Sequence, residues 1–106
     1  MKPILFHPEA EAELGEAVAR YDHRRTGLGQ TLLGQVARAT LNIQEYPALG
    51  APYNQTGMRC CVLRSFPYTV YYMELPDAIW VMAVAHQRRR PGYWRYRKPP
   101  VRNGDS

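Results

Sequence analysis

The segment Ile79-Trp80-Val81-Met82-Ala83-Val84-Ala85 contains no charged side chain, and His86-Gln87-Arg88-Arg89-Arg90-Pro91-Gly92-Tyr93-Trp94 follows it directly. A run this short and apolar throughout reads as a central strand covered on both faces. Upstream of it, Tyr68 to Met73 is rich in Tyr and Val and predicts a preceding strand, joined through the turn Leu75-Pro76-Asp77. Met58 to Leu63 predicts another strand, with Cys60 and Cys61 on opposite faces. Residues 51–57, Ala-Pro-Tyr-Asn-Gln-Thr-Gly, read as loop. Short turns between consecutive strands favour antiparallel pairing.

The first half of the chain has a different period. Ile4-Leu5-Phe6 is a short apolar run between Pro3 and Pro8 and predicts an N-terminal strand. His7-Pro8-Glu9 then opens a helix, because proline costs nothing in a first turn whose N–H groups have no intrahelical partner. Glu9, Glu11 and Glu13 place negative charge near the positive end of its dipole. Ala10, Leu14, Ala17, Val18 and Tyr21 form one apolar stripe, which runs on until Thr26-Gly27 breaks it. Leu32, Leu33, Val36, Ala39, Thr40 and Ile43 form a second stripe, stopped by Tyr46-Pro47 and Gly50. Each stripe needs a partner surface, and the strands supply one. The expected fold class is therefore α+β. It is a small antiparallel sheet with an N-terminal strand and a helical hairpin packed on one face, in the order β-α-α-β-β-β.

With 106 residues, 45% hydrophobic and 22% charged, the chain has the composition of one globular domain rather than a disordered segment. No apolar run approaches the ~18 residues of a membrane-spanning helix. No signal peptide is visible, and the two adjacent cysteines fit neither a disulfide framework nor a zinc pair, so a reduced, cytoplasmic protein is expected. The net charge of +5 is uneven. Residues 1–85 carry seven Lys/Arg against eight Asp/Glu, whereas residues 86–106 carry seven Lys/Arg against Asp105 alone. The boundary of the folded domain is expected at residue 94, with 95–106 a basic, disordered tail. A strongly basic end suits a phosphate backbone or an acidic protein surface.

The sequence has no glycine-rich phosphate loop, no metal-ligand pair and no nucleophile elbow, so no metal and no cofactor are expected. What remains is a polar cluster at the end of the last strand: His86, Arg88, Arg89, Arg90, Tyr93 and Trp94. Arg64 stands before the adjacent strand, where an antiparallel register brings it toward His86 or pairs it with Glu13 or Glu16. Arginines offer planar forks of donors for phosphate or carboxylate. Tyr93 and Trp94 offer ring faces for a base or a protein pocket. Each has a plainer reading: His86 as a strand-end residue bonded to backbone, the arginines as a solvated run, Trp94 as a cap on the core.

In order and spacing, several segments resemble the RelE/ParE superfamily of toxins from bacterial type II toxin–antitoxin modules, also known as plasmid stabilisation proteins. They are Phe6-His7-Pro8-Glu9-Ala10, Tyr46-Pro47 with Gly50, Met58-Arg59, Leu63-Arg64-Ser65-Phe66-Pro67-Tyr68-Thr69-Val70-Tyr71-Tyr72, and Ala83 through Trp94. The resemblance implies a cytoplasmic growth inhibitor that forms a hetero-oligomer with a cognate antitoxin, which keeps it silent. It also implies one of two targets: DNA gyrase, bound without catalysis, or ribosome-associated messenger RNA, cut by an endoribonuclease. RelE-like nucleases use basic strand residues, including lysines in mid-sheet, and a Tyr or His near the C-terminus. Here the corresponding strand, Met58-Arg59-Cys60-Cys61-Val62-Leu63, has no lysine and no carboxylate. A nuclease would have to work with Arg64, His86, Arg89 and Tyr93. The Phe66-Pro67-Tyr68 segment and the Arg-Pro-Gly-Tyr-Trp ending look ParE-like. The expectation is a gyrase inhibitor with no catalytic residue, binding its target through Arg64, His86, Arg88, Arg89, Arg90, Tyr93 and Trp94.

Overall fold

Ile79 to His86 forms a strand buried along its length except at His86, as its apolar sequence predicts. The computed structural model describes residues 1–100. Its elements, in chain order, are β1 (Ile4–Phe6), α1 (Pro8–Arg24), α2 (Leu28–Glu45), β2 (Ala51–Tyr53), β3 (Met58–Val62), β4 (Tyr68–Glu74) and β5 (Ile79–His86). The class is α+β, with one sheet of five strands in the order β1-β5-β4-β3-β2.

Two details differ from the sequence expectation. The sheet is mixed rather than antiparallel throughout: β1 runs parallel to β5, with Ile4 opposite Ile79 and Phe6 opposite Val81. The long connection through both helices and three strands lets the chain re-enter beside β1 in the same direction, which a tight hairpin does not allow. The second detail is β2, in the segment read as loop, which pairs antiparallel with β3. It lies at the sheet edge, where Pro52 lacks an N–H without breaking a central ladder.

Local chemistry sets the helix ends. His7 caps α1 by accepting the Glu9 N–H on Nδ1 at 3.1 Å, and Pro8 occupies the first helical position. Gly27 leads into α2 with φ of 90°, a left-handed conformation that glycine adopts without strain. Gly29 lets the helices approach: a Cβ there would lie 2.3 Å from the Val18 carbonyl oxygen. The Gly29 N–H also donates to Asp22 Oδ1 at 2.7 Å, closing the break between the helices.

The helical hairpin covers one sheet face. Ala10, Leu14, Ala17, Leu32, Val36 and Ile43 bury against Val70, Tyr72, Ile79, Val81 and Val84. Trp80, Met82, Ala83 and Ala85 point the other way and pack with Met58 and Trp94. Residues beyond β5 thus supply the second cover that an apolar central strand requires. Among the described residues, no helix is long and apolar enough to cross a membrane.

A bulge in β5 decides what its far end faces. Tyr71 pairs with Ala83 and Tyr72 with Val81, so Met82 is an extra residue without a partner on β4. Side chains alternate along a strand, and one inserted residue inverts the alternation beyond it. Ile79 and Val81 face the helices before the bulge, and Val84 faces them after it. His86 follows Val84 by two and is thereby turned toward α1.

Candidate functional site

β1 ends at Phe6, so the second half of β5 has an open edge on that side. Its backbone groups are taken up by side chains. The Val84 N–H donates to Glu13 Oε1 at 3.0 Å, and Met82 O accepts from Arg97 Nη1 at 2.9 Å. Glu13 and Arg97 are themselves joined in a two-pronged pair, Nη1 to Oε1 and Nη2 to Oε2, both 3.0 Å. Each side chain is 11% exposed. The Tyr93 hydroxyl donates to Glu13 Oε2 in a short hydrogen bond, and the exposed Glu9 adds a 3.6 Å contact to Arg97. Burial, then the Glu13 hydrogen bond and charge, hold the Tyr93 phenol far above its ordinary range. Arg97 is raised as well, its bonds to Glu13 outweighing the cost of burial.

Next to this closed cluster lies a cavity of about 340 Å³ between α1 and the ends of β4 and β5. Glu13, Glu16 and Arg20 line it from α1, Tyr68 and His86 from the strands, and Arg89 and Tyr93 from the C-terminal segment. Arg20 Nη2 donates to the Tyr68 hydroxyl at 3.4 Å, and the Tyr68 and His86 rings meet edge to face at 5.1 Å. His86 Nδ1 accepts the Arg88 N–H at 3.0 Å, so the neutral ring carries its proton on Nε2. The strand-end reading of His86 thus describes its Nδ1. The Arg89 guanidinium stacks over Tyr93 at 4.1 Å and stands 3.9 Å from Glu13 Oε2. Arg88, Arg89 and Arg90 are all exposed, on the turn that leaves β5.

Two residues grouped with this cluster from sequence are elsewhere. Trp94 is 2% exposed and offers no ring face to a partner. It caps the core because Gly92, at φ 82°, turns the chain back over the sheet, where the indole packs on Tyr71 at 3.9 Å and Tyr53 at 5.7 Å. Its Nε1 is buried without an acceptor. Arg64 lines a separate groove of about 380 Å³ with Arg38, Asn42 and Ser65, beside α2 rather than α1. It forms no ion pair among the described residues, with Glu13 and Glu16 or otherwise. The cationic neighbour of Tyr68 and His86 is instead Arg20, which sequence reasoning missed. Its signal was its position: it lies seven residues after Glu13, two turns along the same face of α1. Arg97, assigned to the tail from sequence, docks on the body through Glu13. The remainder of the tail expectation, residues 101–106, lies outside the described residues.

Fold and site together define a small α+β protein whose polar surface gathers where β5 runs into a cationic turn. The family model described as ParE toxin of type II toxin–antitoxin system, parDE, matches residues 4–91, and the chain belongs to that family. Among solved structures, one chain described as the chromosomal ParDE TA system from P. aeruginosa superposes with a TM-score of 0.73 at 15% identity, covering 81% of this chain and 96% of that one. No curated protein matches the sequence.

Proposed function

We propose that this ParE-family toxin arrests growth from the cytoplasm by docking on DNA gyrase, and that a cognate antitoxin keeps it silent. The observation that carries the non-catalytic reading is the commitment of Tyr93. Its hydroxyl hydrogen is given to a carboxylate that Arg97 already holds, and its phenol is pushed away from ionisation. A general base or acid needs a proton it can exchange near neutral pH. Arg64, another member of the four-residue set a nuclease would use, lines the α2 groove instead of the His86 cavity. The exposed arginines at 88, 89 and 90 support a docking surface.

The test is induced expression, with supercoiling by purified gyrase and translation in a cell extract assayed separately. Wild-type protein is expected to block supercoiling and to leave translation running. Tyr93→Phe is expected to retain growth arrest, and the triple change of Arg88, Arg89 and Arg90 to Ala is expected to lose it. Cutting of ribosome-bound messenger RNA that disappears in Tyr93→Phe would replace this reading with the endoribonuclease.

A further inference from the structure

We propose that the cavity between α1 and the ends of β4 and β5 is a receptor for a single carboxylate, an Asp or Glu side chain presented by a protein partner. The inference deepens the docking reading above and rests on it. Its first ground is an excess of positive charge: Arg20 and Arg89 both line the cavity, and Glu16 offsets only one of them. Glu13 lines the cavity, but its oxygens are taken by Val84, Tyr93 and Arg97. The Glu13–Arg97 pair therefore cancels locally. Arg20 makes a single long hydrogen bond, to a neutral phenol, and no ion pair among the described residues. Arg89 stacks on the neutral Tyr93 ring, and its one carboxylate contact among the described residues is the 3.9 Å approach to an oxygen already shared.

The second ground is donor geometry. Arg20, His86 and Arg89 all border the cavity, and the His86 Nε2 proton has no acceptor among the described residues. The Tyr68 hydroxyl accepts from Arg20, which leaves its own hydrogen free to donate. A carboxylate has two oxygens and takes such donors in pairs. The third ground decides against a nucleic acid. Glu9, Glu11 and Glu16 lie exposed on α1, the helix that forms one wall. Glu16 lines the cavity itself, so phosphates in a row would add charge beside a carboxylate, whereas a single side chain brings one charge to the pair of guanidinium groups.

The experiment is an NMR titration of the uniformly ¹⁵N-labelled full-length chain with the blocked tripeptide Gly-Glu-Gly. Gly-Gln-Gly, inorganic phosphate and a DNA oligonucleotide serve as parallel arms at matched ionic strength. The Glu peptide is expected to shift signals of Arg20, Tyr68 and His86, and the Gln peptide to leave them in place. Arg20→Ala, at an exposed position, is expected to weaken Glu-peptide binding at least tenfold with an unchanged spectrum elsewhere. Glu16→Gln removes the lining carboxylate that has no partner among the described residues and is expected to tighten binding two- to threefold, a gain that misfolding does not produce. Shifts insensitive to Arg20→Ala, or tighter binding of phosphate or oligonucleotide at the same residues, would overturn the proposal. Peptide binding and growth arrest are read independently. If the pocket fails while the triple arginine variant still loses arrest, only this inference falls. If the peptide binds while that variant still arrests growth, only the docking reading falls.

Discussion

Two groups of arginine lie within ten residues of each other and behave in opposite ways. Arg97 is nine-tenths buried, holds both oxygens of Glu13 and closes the open edge of β5. Arg88, Arg89 and Arg90 ride an exposed turn, and among the described residues only Arg89 comes near a carboxylate. The difference is one of available backbone. Beyond Phe6 the β5 edge presents unpaired N–H and C=O groups, and a buried polar group without a partner costs about 1–3 kcal/mol. Glu13 and Arg97 are held because they satisfy that edge. The turn arginines have no such demand on them and stay free for a partner. Equal charges in one short segment thus divide into an interior fastening and an exterior surface.

Substitutions sharpen that contrast, and the largest effect belongs to the closed side. Trp94→Ala is expected to cost about 3–5 kcal/mol in urea unfolding, the range for deleting a buried aromatic. Tyr96→Ala, at a side chain 83% exposed, is expected to change stability by less than about 0.5 kcal/mol. Similar losses in the two variants would remove the distinction between covered and open parts of the C-terminal segment. Glu13→Ala is expected to cost about 3 kcal/mol, because it strands the Arg97 charge and the Val84 N–H together. A loss under about 1 kcal/mol would mean that solvent already serves the β5 edge.

Tyr93→Phe comes next, with an expected cost of about 1.5–2 kcal/mol for a hydrogen bond to a charged group. It also carries a pH signature. The unfolded phenol ionises near its ordinary value of about 10, while burial and Glu13 keep the folded one protonated well above that. The folded state therefore binds more protons in alkaline solution, so this contribution is intact below about pH 10 and is lost as pH rises beyond it. Wild-type stability is expected to fall more steeply than that of Tyr93→Phe in this window. Cys60, Cys61, Tyr68, Tyr71 and Tyr72 are also raised by burial and keep some slope in both proteins. Parallel curves for the two proteins would show that Tyr93 is not held as described. Of the substitutions at the polar site, the smallest stability change is expected for the triple replacement of Arg88, Arg89 and Arg90 by Ala, within about 1 kcal/mol in thermal melting, with the Arg89–Tyr93 stack as its main component.

The helices and the last three strands were legible because their periods are strong and their ends carry Pro, Gly or a turn. Pro52 masked the short edge strand β2, since proline argues against a strand everywhere except at an edge. The parallel entry of β1 depends on a partner at the far end of the chain, which no local pattern encodes. The position of His86 at the end of the last strand and of the arginines on the turn after it was legible from charge and the hydrophobic run alone. Trp94 follows its core-cap reading rather than the contact one because of a turn, Arg64 faces the α2 groove rather than the cavity, and His86 owes its direction to a bulge. The Met82 bulge and the Gly92 reversal are both silent in the hydrophobic pattern. Glu13 was read as a dipole-end acid or a partner for Arg64, because its actual partner Arg97 lay in a segment taken for tail.

The ladder between β1 and β5 also fixes when this protein comes into being. Ile4 to Phe6 leave the ribosome 75 residues ahead of Ile79 to Val81, the stretch of β5 with which they pair. Between the completion of α2 and that of β5 the nascent chain holds two helices whose apolar stripes face an unfinished sheet. Those long-range pairings form late and together. The cationic turn, which follows β5 immediately, emerges later still, so a ribosome that stops between the two releases a polypeptide whose sheet can close but which has no surface to dock.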